Sequence, residues 1–318
     1  MTPAHTPDSP ADPPSRAAVW FRAIRPWSFA ASVVPVAVGG ACAFLAGQFS
    51  LGAFALCMLG GVALQAGTNM VNDYWDWRQG ADHSGSLGPS RVIQQGWLSP
   101  SAVLRGGVGF FALAALCGFV LTALAGWPIL LLGLIGVPLA YGYTAPPLKL
   151  AYRGLGELNV FFLMGPIMVL GGLLVHGAAG LAVASIASVP VGFLVAAILH
   201  ANNIRDLDDD RSLGKRTIAT LVGMRWAKRE FDVLVFGAYA VLVGAVATRR
   251  LPPTALLPLL SLPLALAAHR TVAEETEPAR LAPAVRQAAK LHLYFGLLLA
   301  LGLVLGGLLG GRSSARRR

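Results

Sequence analysis

Two short segments of this chain place carboxylates and carboxamides at spacings that suit a metal-bound phosphate. Asn72, Asp73, Asp76 and Asp82 lie in the run NDYWDWRQGAD, and Asn202, Asp206, Asp208, Asp209 and Asp210 lie in NNIRDLDDDR. Side chains four residues apart share one face of a helix. Asn72 therefore stands beside Asp76, and Asn202, Asp206 and Asp210 form a single stripe. Asp73 lies about 60° around the helix from Asp76, whereas Asp82 follows Gly80 and leaves the helix. Carboxylates so placed repel one another, and a charge within a membrane span costs roughly 2.5–3.5 kcal/mol. Two such clusters facing each other need cations between them. Hard oxygen donors suit Mg2+, which takes one or two carboxylates and completes its shell with phosphate and water. The candidate metal ligands are Asp73, Asp76, Asp206, Asp209 and Asp210, and the candidate catalytic set is Asn72, Asp76, Asp206 and Asp210. Taken singly, either cluster reads as solvated charge at a helix end. Two of them at the same membrane face favour function.

Basic residues lie close by in sequence. Lys215 and Arg216, in RSLGKRT directly after the second cluster, have the reach to meet phosphate oxygens. Lys149 and Arg153 follow the segment YGYTAPP at the same face, although a topology-setting role accounts for any single one of these four residues equally well. The polar, Gly- and Ser-rich loop 83–99 reads as a mobile lid or as plain connection. Tyr74, Trp75 and Trp77 present ring faces that suit a cation, but aromatic residues gather at membrane interfaces anyway, and that reading is the stronger.

The elements that must hold these residues are apolar helices. The chain of 318 residues is 55% hydrophobic and 13% charged, with a mean hydropathy of +0.64, outside the soluble range. Nine stretches are apolar enough to span a bilayer: 29–47, 51–71, 103–125, 127–143, 157–176, 181–201, 232–248, 251–268 and 291–310. Pro35, Pro138, Pro166 and Pro190 lie inside them, as membrane helices tolerate. The expected class is all-α, a polytopic membrane protein. Residues 1–18 read as a disordered tail, 19–311 as the membrane domain and 312–318 as a basic tail. Cys42, Cys57 and Cys117 fall inside apolar runs and read as core residues. With alternating spans, 19 of the 25 Lys and Arg fall on the side of the N-terminus, as do all 15 Asp and Glu. The positive-inside rule puts that side, and both acidic clusters, in the cytoplasm. The net charge of +10 is then a topology signal, and nucleic acid is not an expected partner.

NDYWDWRQGAD with LGPSRVIQQG, and NNIRDLDDDRSLGKRT, resemble the two signature regions of the UbiA superfamily of intramembrane prenyltransferases. The segments IRPWSFAASVVPVAVG and PPLKLAYRGLGEL support the likeness, which runs from about Ile24 to Gly223. Where the broad pattern has a third acid in the first cluster this chain has Gly80, with Asp82 two residues later, a form similar to the naphthoate-using branch. The resemblance implies a nine-helix bundle with a central cavity open to lipid and a cytoplasmic cap, in the inner (plasma) membrane. It implies Mg2+-dependent transfer of a polyprenyl group from polyprenyl diphosphate to an aromatic acceptor. In the naphthoate branch that acceptor is 1,4-dihydroxy-2-naphthoate, prenylated with loss of CO2 in menaquinone biosynthesis. It places Asn72, Asp76, Asp206 and Asp210 on the Mg2+–diphosphate, Tyr143 and Lys149 near the diphosphate, and Arg25 near the acceptor. The same chemistry on 4-hydroxybenzoate, homogentisate or a tetrapyrrole is the nearest alternative, and an ion-coupled transporter is a remote one.

Overall fold

A computed structural model describes residues 14–80 and 90–315, with side chains to residue 310. Among these residues the chain is helical, and its one β-feature is an isolated bridge between Arg153 and Arg216. The helices are α1 (Arg16–Ile24), α2 (Ala30–Leu45), α3 (Leu51–Arg78), α4 (Pro100–Ala125), α5 (Trp127–Tyr141), α6 (Gly156–Leu174), α7 (Leu181–Arg205), α8 (Leu207–Ser212), α9 (Ile218–Val222), α10 (Met224–Ala247), α11 (Pro253–Glu274) and α12 (Pro278–Ala315). Each apolar stretch read from the sequence falls on one of them. By length and composition seven of the described helices can cross a membrane, or eight when the pair Arg16–Ser28 and Ala30–Leu45, bent by 51°, counts as one span. The shortfall from nine arises chiefly at α5, which has only 15 residues. α1 begins at Arg16, inside the segment expected to be a tail; residues 1–13 and 316–318, and Asp82, lie outside the described residues.

Local sequence sets these boundaries. Ser50 and Ser99 cap α3 and α4 by accepting the backbone N–H of Ala53 and Ala102. Gly126, at φ 95°, separates α4 from α5 in a conformation costly for any residue with a Cβ. Pro166 lies in a π-helical stretch, Leu163–Ile167, within α6, as expected where a proline cannot donate to the ladder. Thr217 and Thr220 form a reciprocal capping box that starts α9.

Burial separates central from peripheral helices. In α7, 56% of the apolar window is enclosed, against 11% in α4, so α7 runs through the bundle and α4 faces outward. α7 packs on α2, α6, α10 and α12, and its buried side chains join one core with Val34, Phe231, Leu242, Phe295 and Leu299. Phe119, Leu124, Trp127 and Leu134 are more than three-fifths exposed, a surface that only lipid would tolerate.

Close approach between α6 and α7 depends on glycines. A Cβ on Gly165 would lie 2.7 Å from the Cα of Gly192 and 3.1 Å from the Ser188 carbonyl oxygen, both backbone atoms that cannot swing aside. Gly165→Ala is expected to push the helices apart at a cost of about 1–3 kcal/mol. Thermal unfolding in detergent checks this, and an unchanged Tm would refute it.

Candidate active site

The chemistry-bearing residues come together at one end of the bundle. They are supplied by the C-terminal ends of α3 and α7, the 142–155 connection between α5 and α6, and the segment from α8 to α9. α3 continues past its apolar part to Arg78 before Gly80, at φ 73°, ends it, which carries Asn72, Asp73 and Asp76 beyond the apolar core. α7 does not run unbroken through the second cluster. It ends at Arg205, with Asp206 outside helical geometry at φ −95° and ψ 13°. The backbone bonds Asp206 N–H to Asn202 carbonyl (3.0 Å) and Asp210 N–H to Asp206 carbonyl (2.8 Å) nevertheless span the break. The expected stripe of Asn202, Asp206 and Asp210 therefore survives it.

The two acidic clusters are linked through the side chains of Tyr152 and Lys215. The Tyr152 hydroxyl donates to Asp76 Oδ1 at 2.7 Å. The ring of Tyr152 lies 5.5 Å beneath Lys215 Nζ, which donates to Asp210 Oδ1 at 3.1 Å. Burial disfavours the Lys215 ammonium, but Asp210, Asp76 and Asp206 outweigh it and hold its pKa above the ordinary lysine value. Burial also raises the Asp210 carboxyl; Lys215 opposes this, while Asp206 and Asp209 add to it. Both directions follow from one enclosed pair, the Lys215 ammonium against the Asp210 carboxylate at 3.1 Å. Asn72 Oδ1 accepts from Thr144 at 2.8 Å, which fastens α3 to the α5–α6 connection. Asp206 is held by Arg205 at 2.5 Å and by Asn202 at 3.3 Å.

Tyr143 stands among these charges. Its phenol lies well above the ordinary tyrosine value through burial first, then through Glu157, Asp76 and Asp210, with Arg25 acting in the opposite sense. Arg25, in a left-handed turn at φ 54° between α1 and α2, pairs with Asp73. Asp73 also accepts from Ser90 and is 3% exposed. The carboxylate offered from sequence as a metal ligand is thus the partner of Arg25.

Other expected residues lie further out. Asp209 is exposed. Arg153 is exposed and donates to the Pro147 carbonyl at 3.0 Å. Arg216 is exposed too, and its backbone meets Tyr152 and Gly154. This backbone contact holds the segment after α8 against the 142–155 connection. Lys149 takes a left-handed conformation at φ 45° at the turn into Leu150–Tyr152. In loop 83–99 the described part is packed: Val92 is fully buried, and with Ile93 it joins Val19, Ala23, Met70 and Val103. Residues 83–89 lie outside the described residues. Tyr74 and Trp75 meet edge to face at 5.2 Å with Arg78 over the Trp75 ring, and Trp77 is 40% exposed, an interfacial arrangement.

Tyr152, Thr144 and Ser90 were not among the candidates from sequence. Each belongs to a loop, where no periodicity announces the partner; only the likeness of PPLKLAYRGLGEL to a family segment drew attention to the stretch that carries Tyr152.

The oxygen donors fit Mg2+. Asp210 Oδ2 is buried without a hydrogen-bond partner among the described residues, a costly state that a cation would relieve. No three His, Cys, Asp or Glu among the described residues stand close enough to enclose a metal by themselves, so a cation bound here would need further oxygens, as Mg2+ commonly takes from phosphate and water.

An apolar cleft of about 160 Å3 opens among α2 to α6, lined by Cys57, Gly60, Cys117, Gly133, Leu163 and Met168. Leu64 also borders it, eight residues before Asn72 and so about 12 Å along α3 from the polar site.

Residues 32–294 match the model of the UbiA prenyltransferase family. The 1,4-dihydroxy-2-naphthoate octaprenyltransferase of Bacillus subtilis is 30% identical over 287 residues, 90% of this chain and 92% of that protein. The UbiA prenyltransferase domain-containing protein 1 of Homo sapiens is 30% identical over 294 residues, 91% of this chain and 84% of that protein. In three dimensions the chain resembles a UbiA homologue from Aeropyrum pernix K1, with a TM-score of 0.66 and 20% identity over 86% of this chain and 97% of that one. It also resembles a UbiA homologue from Archaeoglobus fulgidus solved with DMAPP and Mg2+, with a TM-score of 0.59 and 18% identity over 88% of this chain and 98% of that one.

Proposed function

The chain belongs to the UbiA prenyltransferase family and is a membrane prenyltransferase, and from that premise we propose that it transfers a polyprenyl group to 1,4-dihydroxy-2-naphthoate in menaquinone biosynthesis. The observation that carries this reading is the Asp76–Tyr152–Lys215–Asp210 link, which draws two carboxylate clusters around one point at a helix-bundle end. The naphthoate acceptor is supported by the Bacillus subtilis relative. The family assignment removes the transporter reading.

Asn72, Asp76, Asp206 and Asp210 would hold Mg2+ on the diphosphate. Bound there, the metal supplies positive charge to a leaving group that gains negative charge as it departs. Lys215 and Lys149 would add hydrogen-bonding positive charge to its remaining oxygens. The allylic C–O bond breaks and its electron pair leaves with the diphosphate. The electron-rich ring carbon bearing the carboxylate forms the new C–C bond, and that carboxylate departs as CO2, its electrons restoring aromaticity. The ionised acceptor supplies the electron density, so no general base is assigned. Water would quench the cation, and the apolar cleft beside α3 takes part of the prenyl tail while the bundle and surrounding lipid exclude water. Arg25, held by Asp73, would meet the acceptor's carboxylate or hydroxyl. The active end faces the cytoplasm of the plasma membrane by the distribution of Lys and Arg, with the short connecting segments forming a cap.

Purified protein in detergent, given Mg2+, a polyprenyl diphosphate and dihydroxynaphthoate, is expected to yield the prenylated, decarboxylated product by mass spectrometry. Turnover confined to 4-hydroxybenzoate, homogentisate or a tetrapyrrole would keep prenyl transfer and overturn the acceptor. No diphosphate release with any acceptor, in folded protein, would overturn the reading.

A further inference from the structure

Three polar residues recur every four positions along α3: Gln65, Asn69 and Asp73. That spacing puts them on one stripe of the helix, and all three are buried. Each is bonded to the chain between Ile24 and Ser32, where α1 turns into α2 through a bend of 51°. The Asn69 carboxamide nitrogen donates to the Ile24 carbonyl at 2.9 Å and to the Ser28 hydroxyl oxygen at 2.8 Å. Ser28 in turn donates to the Arg25 carbonyl at 2.9 Å. The Asn69 carboxamide oxygen accepts from Gln65 Nε2 at 3.1 Å, and Gln65 Oε1 accepts from Ser32 at 3.0 Å. The polarity of this relay is fixed. A carbonyl only accepts, so the atom of Asn69 that meets Ile24 is nitrogen. The single hydroxyl hydrogen of Ser28 goes to Arg25, so its oxygen accepts from Asn69.

Between the two points that Asn69 grips lies Arg25, at φ 54°. That left-handed conformation is costly for a residue with a Cβ, and it persists where the surroundings over-determine it. One turn further along the same stripe, Asp73 pairs with the Arg25 guanidinium. α3 thus holds the backbone on either side of Arg25 through Asn69, and its side chain through Asp73. Satisfying the end of α1 needs only the bond to Ile24. The second bond, to Ser28, reaches past Arg25 and closes the elbow around it.

We infer that Asn69, steadied by Gln65 and Ser32, is a positioning residue for Arg25: it fixes the elbow so that the guanidinium meets the aromatic acceptor in one orientation. The diphosphate site is held by other contacts, from Tyr152 to Asp76 and from Lys215 to Asp210, so loss of Asn69 falls on the acceptor. The acceptor role of Arg25 rests on the prenyl-transfer reading above; the hold of Asn69 on the elbow does not.

Asn69→Leu keeps the branched shape and removes both donors. Ser28→Ala removes the link from Asn69 to the Arg25 carbonyl at less cost to packing, and carries the test if N69L does not fold. N69L is expected to raise KM for the acceptor about tenfold and S28A about threefold, each with KM for prenyl diphosphate within about twofold of wild type. Ser28→Thr keeps the hydroxyl and is expected to stay within about twofold of wild type for both substrates. Added to Arg25→Met, N69L is expected to lower acceptor kcat/KM by no more than about twofold further, since a residue acting through Arg25 has nothing left to position. A merely structural Asn69 would raise both KM values, or would multiply its loss onto that of R25M; either result would overturn the inference. The elbow itself is read by 19F NMR of 5-fluorotryptophan-labelled protein, with Trp27→Phe to assign the signal, because Trp27 precedes Ser28 in the elbow. N69L and S28A are expected to shift the Trp27 resonance and to leave those of Trp127 and Trp226, on α5 and α10, in place. An unmoved Trp27 resonance would overturn the hold of Asn69. Wild-type protein inactive on every acceptor would overturn the proposed function, while the resonance would still decide that hold.

Discussion

Asp76→Asn is expected to reduce prenyl transfer by at least about 10^3-fold while leaving the fold intact, the scale seen when preorganised charge stabilisation is removed from a transition state. The separation of the two effects comes from the contacts of Asp76. Its Oδ1 accepts a hydrogen bond from the neutral hydroxyl of Tyr152 at 2.7 Å, and an amide oxygen accepts the same bond in the same geometry. The connection from α3 to the 142–155 segment therefore persists, supported independently by the bond from Thr144 to Asn72. The substitution removes one of the negative charges that act on Lys215. A metal–diphosphate complex needs that charge; the fold does not. Diphosphate release at saturating Mg2+ measures the loss, and the Tm in detergent checks the fold. Asp208→Asn is the matched control. Asp208 is 86% exposed at its side chain and meets Arg211 only at 3.8 Å, so its replacement is expected to leave turnover unchanged. An Asp76→Asn protein that turns over within tenfold of wild type would remove the first cluster from the chemistry.

Much of this arrangement is legible in the amino-acid sequence, because the signals that build it are local. A run of apolar residues marks each helix, and i, i+4 spacing aligns Asn72 with Asp76 and Asn202 with Asp206 and Asp210 whether or not the helix is perfect. The break at Asp206 shows the limit: it stems from no glycine or proline, and the bonds bridging it hide it from any periodicity. Hydropathy likewise finds the apolar stretch at 127–143 but not that its helix closes at Tyr141, where the chain turns through Gly142. The least legible features are pairings between distant segments. Asp73 reads as a fourth or fifth metal ligand beside Asp76, and only the left-handed turn at Arg25 brings a guanidinium to it. Glu157 and His200 stand 43 residues apart on helices that meet only because Gly165 and Gly192 allow it. Nothing in the spacing of a lone Glu and a lone His announces such a pair.

Lys215→Met is expected to slow turnover by about 10^2–10^3-fold and to make the protein's stability depend strongly on Mg2+. Methionine fills the space over the Tyr152 ring, so packing changes little, but Asp210 loses the ammonium at 3.1 Å. Breaking a buried ion pair by removing one partner costs about 3–5 kcal/mol, more than the surrounding packing can return. Asp210 has two ways out. It takes a proton, which its burial already favours, or it recruits a cation from solution. Either relieves the unpaired charge, but only the second restores a site for diphosphate. The difference in Tm with and without Mg2+ is accordingly expected to be larger in Lys215→Met than in wild type, whereas loss of a plain surface cation would leave that difference unchanged. Lys215→Arg, which keeps the charge and changes the reach, is expected to restore the metal-free Tm and only part of the turnover, because the ammonium must meet both Asp210 and the leaving group. Equal Mg2+ effects on the Tm of Lys215→Met and wild type would show that the carboxylates of the second cluster do not gather a cation, and the metal role of Asp210 would fall with that result.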